Sequence, residues 1–140
     1  SVVSELRDVD DEALVEALAD LLEEGRQLRQ RRNAAWLLGR VASDDPRAAA
    51  ALVDALDDED DTVARFAATG LAAVAVDVEE RLLDVLDGPA SSDARAMAAF
   101  TLGKVGGERA RERLDRLVNE TDDDQVRQRA LGALSKLGGR

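Results

Sequence analysis

The stretch Val126-Arg127-Gln128-Arg129-Ala130-Leu131-Gly132-Ala133-Leu134-Ser135-Lys136-Leu137-Gly138 decides how the chain is read. Val126, Ala130, Ala133, Leu134 and Leu137 fall on one face of a helix, because residues three and four apart meet on its surface. The same skeleton recurs upstream as Ala94, Ala98, Thr101, Leu102 and Val105, and again as Val63, Ala67, Gly70, Leu71 and Val74. A weaker first copy reads Gln30, Ala34, Leu37, Leu38 and Val41. The anchors Leu38, Leu71, Leu102 and Leu134 are 33, 31 and 32 residues apart. A fixed period of this length marks a repeat architecture.

A second skeleton lies between the copies of the first. It reads Leu18, Leu21, Leu22, then Leu52, Ala55, Leu56, then Leu82, Val85, Leu86, then Leu114, Leu117, Val118. Its leading leucines are 34, 30 and 32 apart. Two independent skeletons with one period predict four repeats, at about 10–43, 44–76, 77–106 and 107–140, in a single domain of about eight helices. Outer helices are expected near 10–24, 46–57, 77–87 and 107–119, and inner helices near 27–42, 62–75, 92–105 and 123–137. Asp45-Pro46 reads as an N-cap followed by proline at the first helical position. Gly25, Gly88-Pro89, Gly106-Gly107 and Gly138-Gly139 stand where helices should stop. Segment 1–9 reads equally as a lead-in helix or an unstructured end. One helix pair cannot bury both its faces, so neighbouring pairs must stack. Small residues, Ala35 and Gly39, Ala68 and Ala72, Ala99 and Gly103, recur where inner helices should approach closely.

The segments Ala94–Gly106 and Asp45-Pro46-Arg47-Ala48 resemble the short HEAT-like repeats of the phycobilisome-lyase type, and the resemblance runs over about 10–139. It implies an all-α, right-handed α-solenoid of antiparallel helix pairs, armadillo-like in plan, with the second helix of each pair lining the concave side. It implies a protein-binding scaffold, because many such repeat proteins are adaptors without chemistry of their own. Bilin-lyase-like activity follows from the family label alone.

The formal charge is −11, with 30 acids against 19 basic residues and no Cys or His. Asp outnumbers Glu, Lys occurs only at Lys104 and Lys136, and this balance resembles proteins adapted to high salt. Much of the acidity then reflects solvation rather than partners. The first 25 residues lack the basic start and apolar core of a signal peptide, and no run is long and apolar enough to span a membrane. A cytoplasmic location is expected.

The charge is sorted by helix type. The windows 27–43, 62–76, 94–106 and 125–139 hold ten basic residues and no acid. Salt adaptation alone does not predict an acid-free layer. Arg31, Arg95 and Arg127 occupy one repeat position in the first turn of the inner helix. They are expected to bridge to acidic loops such as Asp60-Asp61 or Asp122-Asp123-Asp124. Outside the apolar skeleton, the inner helices carry a stripe at i, i+3 and i+7: Asn33, Trp36, Arg40; Phe66, Thr69, Ala73; Met97, Phe100, Lys104; Arg129, Gly132, Lys136. Arg32, Arg65, Ala96 and Gln128 flank it. All three aromatics, the single Met and both lysines lie on the stripe. Arg32, Trp36, Arg40, Arg65, Phe66, Met97, Phe100, Lys104, Arg129 and Lys136 are therefore the candidate partner-binding residues. Apolar anchors flanked by cations suit a protein partner, and an acidic peptide in particular. Helical geometry leaves open whether Phe66, Met97 and Phe100 instead pack between neighbouring inner helices.

Catalysis is not expected. Ser-His and Cys-His pairs cannot exist here, nor can the usual zinc sites. A calcium loop starting at Asp57 needs Gly and Glu where Thr62 and Ala68 stand, and one starting at Asp122 ends on Ala133. These acidic runs are expected to cap inner helices. Gly103-Lys104-Val105-Gly106-Gly107 lacks the Ser or Thr of a phosphate loop. Asn119-Glu120-Thr121 matches a glycosylation sequon by chance. No cofactor or metal is expected. Nucleic-acid binding through the basic layer is the alternative, weakened by the acidity of the whole chain. Self-association through solenoid ends, or membership of a longer solenoid, is compatible with the pattern.

Overall fold

The computed structural model describes residues 2–41, 44–74 and 77–138, with side chains from residue 11 onward. Among them the chain forms eight helices and no strand: α1 (Val2–Glu24), α2 (Leu28–Val41), α3 (Pro46–Ala55), α4 (Asp61–Ala73), α5 (Glu79–Asp87), α6 (Ser92–Val105), α7 (Glu108–Glu120) and α8 (Asp124–Gly138). Helices α1, α3, α5 and α7 are the outer ones, and α2, α4, α6 and α8 the inner ones. The chain is an α-solenoid of stacked helix pairs.

Local chemistry sets the helix ends. Asp45 accepts from the Arg47 N–H at 2.8 Å with Pro46 at the first helical position, as expected. Asp60 and Asp123 accept from the N–H groups of Val63 and Val126 at 3.0 and 3.1 Å, so the acidic runs do cap inner helices. Ser91 does the same for α6 through the Ala94 N–H. Gly25, Gly88 and Gly106 close α1, α5 and α6 with backbone bonds to Leu21, Val85 and Leu102. Gly139 and the expected inner-helix ends at 42 and 75 lie outside the described residues. Helix α1 runs unbroken from Val2, so residues 2–9 are the lead-in helix of the two readings. No Gly or Pro interrupts it before Gly25, so nothing local stops the helix.

Leu38, Leu71 and Leu102 are fully buried, as are the outer-helix leucines Leu52, Leu56, Leu82, Leu86 and Leu114. Each such side chain contributes roughly 1.5–3 kcal/mol relative to exposure. The skeleton fails at the first repeat, where Leu37 and Val41 are exposed, and Leu21 is exposed on α1.

The inner helices nearly touch at two crossings. A Cβ on Gly39 would stand 2.7 Å from the Cα of Gly70, and one on Gly103 would stand 2.8 Å from the Cα of Ala133. Gly39 and Gly103 thus act as expected. Ala72 does not: it is exposed, and α4 and α6 are less closely engaged than the other inner pairs. By repeat register the residue facing it is Thr101, whose Oγ1 donates to the Met97 carbonyl at 2.8 Å and keeps its bulk at the crossing. At each seam the inner helices engage one another more closely than the outer ones, and α5 barely meets its outer neighbours α3 and α7. A layer contracted on one side curves, so the inner helices line the concave face.

Candidate functional site

Helix α6 places Phe100 half-buried on the inner face, its ring packed against the core from one side. Three cations stand around that ring. Lys104 Nζ lies 4.6 Å from the ring centre, Lys136 Nζ 5.0 Å and the Arg129 guanidinium 5.2 Å. Cations over an aromatic face are attracted by its quadrupole within about 6 Å. Lys104 comes from one turn further along α6, and Arg129 and Lys136 come from α8. Close packing at Gly103 and Ala133 brings these two helices near enough for one ring to serve both.

A second aromatic–cation pair sits on α2. Trp36 is 46 % exposed, and the Arg40 guanidinium covers its ring at 4.7 Å. An open groove of about 420 Å³ runs across α4, α6 and α8, lined in part by Arg65, Met97 and Arg129 and by Asp58, Asp61, Asp93 and Gln125. Phe66 and Met97 are half-buried and lean on the core.

Arg32 is engaged elsewhere. Its guanidinium makes a two-pronged contact with Asp60, Nε at 3.0 Å and Nη2 at 2.9 Å. This pairing raises the Arg32 pKa and holds the Asp60 carboxyl at about 2. Arg31 reaches Asp58 at 3.2 Å in the same loop, as expected of its repeat position. Arg95 differs: its Nε donates to the Leu86 carbonyl at 3.1 Å. Arg127 donates to the Val118 and Thr121 carbonyls and also pairs with Asp124 at 2.9 Å. Both guanidiniums therefore close the C-terminal end of the preceding outer helix, where free carbonyls carry partial negative charge.

Ion pairs link neighbouring outer helices. Arg47 on α3 meets Glu16, Asp20 and Glu23 of α1 at 3.2, 3.5 and 2.6 Å. Arg109 on α7 meets Glu80 of α5 at 2.5 Å, and Arg113 meets Asp87. The stripe contrasts with this. Among the described residues no carboxylate lies within 4.0 Å of Arg40, Arg65, Lys104, Arg129 or Lys136.

Sequence reading missed the groove's acidic rim. Asp93 and Gln125 stand one turn before Met97 and Arg129, so the stripe continued backward by four residues finds both. Gln125 donates to Asp93 at 2.8 Å and accepts from Ser92 at 3.0 Å. Asp58 precedes α4 in a loop, and helical periodicity gives it no signal.

The chain belongs to the HEAT-repeat family, whose profile matches residues 1–75 and 79–140. It is also 49 % identical over 145 residues to a HEAT repeat-containing taxis protein of Halobacterium salinarum. That alignment takes in 100 % of this chain and 36 % of the relative, so the chain spans about a third of the relative's length.

Proposed function

We propose that this chain is a single four-repeat domain acting as a non-catalytic, cytoplasmic scaffold of a taxis apparatus, binding a protein partner on its concave face. One contrast carries the reading. Arg47, Arg109 and Arg113 of the outer layer each reach a carboxylate of the neighbouring outer helix, whereas among the described residues Arg40, Lys104, Arg129 and Lys136 of the stripe stand without one beside partly exposed aromatics. Unmatched charge beside an apolar anchor is what a partner with acidic and apolar groups would complete. The relative is a taxis protein, which suggests the pathway, and its halophilic organism agrees with the salt-adapted composition. At high salt, exposed charge pairs are screened within a few ångströms. Trp36 and Phe100 then supply most of the affinity, and the cations supply orientation.

The likeness to phycobilisome-lyase repeats adds no chemistry to this reading, because the groove offers carboxylates and cations without a nucleophile–base pair. Nucleic-acid binding is the second reading, favoured by the same unmatched cations.

The test is a pull-down at high potassium chloride with the wild type and with Trp36→Ala/Phe100→Leu, after both show equal helicity and melting. Capture of taxis components by the wild type and their loss from the folded variant is expected. Equal capture by both proteins would remove the concave face from the account. Recovery of nucleic acid that washes off with salt would favour the second reading.

A further inference from the structure

The inner face is sorted along its helices. The C-terminal turns of α2, α6 and α8 carry Arg40, Lys104 and Lys136. The first turns of α4 and α6, at the other end of the inner face, carry Asp61 and Asp93, and Asp58 in the loop before α4 is paired with Arg31. Cations at helix C-termini are stabilised by the helix dipole, and this accounts for one per helix. It does not account for Arg129, which sits near the start of α8, nor for three cations converging on one ring. Like charges held this close repel, and among the described residues no carboxylate lies within 4.0 Å of any of the three. On the neighbouring stripe position of α8, Gly132 leaves open space, since a Cβ there would meet nothing within 4 Å.

We propose that the Phe100, Lys104, Arg129 and Lys136 cluster is the specificity pocket of the concave face, taking clustered carboxylates of an acidic protein segment beside an apolar side chain that lies on the Phe100 ring. The proposal rests on the concave-face reading above and names the chemistry of its occupant. The carboxylates sit among the three cations, and the apolar group uses the exposed edge of the ring. The acidic rim at Asp61 and Asp93 fixes the orientation, because it repels a second acidic stretch and accepts a neutral or basic one. The same rim distinguishes the occupant from a nucleic-acid strand. A strand carries negative charge at every step, and running along the groove it would meet these carboxylates. The pocket is a point, not a track.

The test is a displayed library of random peptides, selected on the wild-type chain at high potassium chloride. Enriched peptides are then measured by fluorescence anisotropy against Trp36→Ala, Lys104→Gln, Lys136→Gln and Arg129→Gln. Exposed cations can be replaced by Gln without touching the core, so folding should survive and is checked by circular dichroism. The expected result is enrichment of clustered Asp and Glu next to an apolar residue. Each Gln variant should weaken binding about tenfold, the scale of one charge-assisted hydrogen bond. Peptides without acidic bias, or with affinity unchanged by all three Gln variants but lost in Trp36→Ala, would overturn the pocket while leaving the concave face in use. Failure to enrich any peptide would overturn both readings. A mixed-sequence single-stranded DNA that binds and loses affinity in the Gln variants would overturn the acidic-peptide assignment in favour of nucleic acid.

Discussion

Gly39 and Gly132 both lie inside inner helices, yet they should respond oppositely to alanine. A Cβ at Gly39 would stand 2.7 Å from the backbone of Gly70, and backbone cannot swing aside as a long side chain can. Gly39→Ala is expected to cost about 1–3 kcal/mol through displacement of α2 from α4. At Gly132 the added methyl enters open space, and helix propensity alone decides. Gly132→Ala is expected to stabilise by roughly 0.5–1 kcal/mol. Urea unfolding followed by circular dichroism measures both, and two shifts of the same sign would refute the crossing geometry. Gly39 was legible in the sequence as a small residue in a close-packed layer. Its partner was not, because Gly70 occupies a skeleton position that reads as ordinary core. Arg31 and Arg32 show the same limit. Adjacent in sequence, they both reach the loop before α4, and only the fold of the next repeat reveals that Arg32 is engaged there.

At the scale of the element, the loop before α4 joins a helix cap to a bridge between repeats. Asp60 accepts from the Val63 N–H and from Arg32 at once, and Arg32 is the larger cause of its lowered pKa of about 2. An unfolded aspartate titrates near ~3.9. The folded value is lower, so the stabilisation is fully present above about pH 4 and is lost as pH falls toward 2. Asp60→Asn keeps a good cap residue but removes the charge. The variant should therefore lose less stability than the wild type between about pH 4 and 2. Acid titration of the melting temperature tests this, with carboxylate NMR locating Asp60; parallel curves would show that the pair does not couple to folding. The helices themselves were readable because a skeleton repeated at one period leaves few alternatives. Their contacts were less so. Periodicity put Leu37 and Val41 in the core, but burial needs a facing helix, and α2 leaves that flank exposed.

The whole molecule is stitched unevenly. The first two pairs are joined by Arg31 to Asp58, Arg32 to Asp60 and Arg47 to α1. The last two are joined by Arg109 to Glu80, Arg113 to Asp87 and Gln125 to Asp93. Across the middle seam, no ion pair is found among the described residues, and the polar link is Ser91 Oγ to Asp57 at 2.6 Å. The α4–α6 crossing is also the least close of the inner three, with Thr101 where the others have Gly70 and Ala133. In a solenoid each repeat contacts only its neighbours, so stability is a sum of repeat and seam contributions. A weak middle seam then predicts two cooperative units, residues 2–74 and 77–138, which open with different free energies. Hydrogen exchange read by mass spectrometry should show this. Leu38→Ala should speed exchange mainly in the first unit and Leu102→Ala mainly in the second, each costing its own unit about 2–5 kcal/mol. If either substitution accelerates both halves equally, the seam transmits as strongly as the others, and the uneven stitching carries no energetic weight. The same seam lies under the groove, whose lining runs from Ala64 and Arg65 on α4 to Met97 on α6 and Arg129 on α8. A bound segment would span the two units and tie them together, so a ligand of this face should slow exchange on both sides of the seam at once.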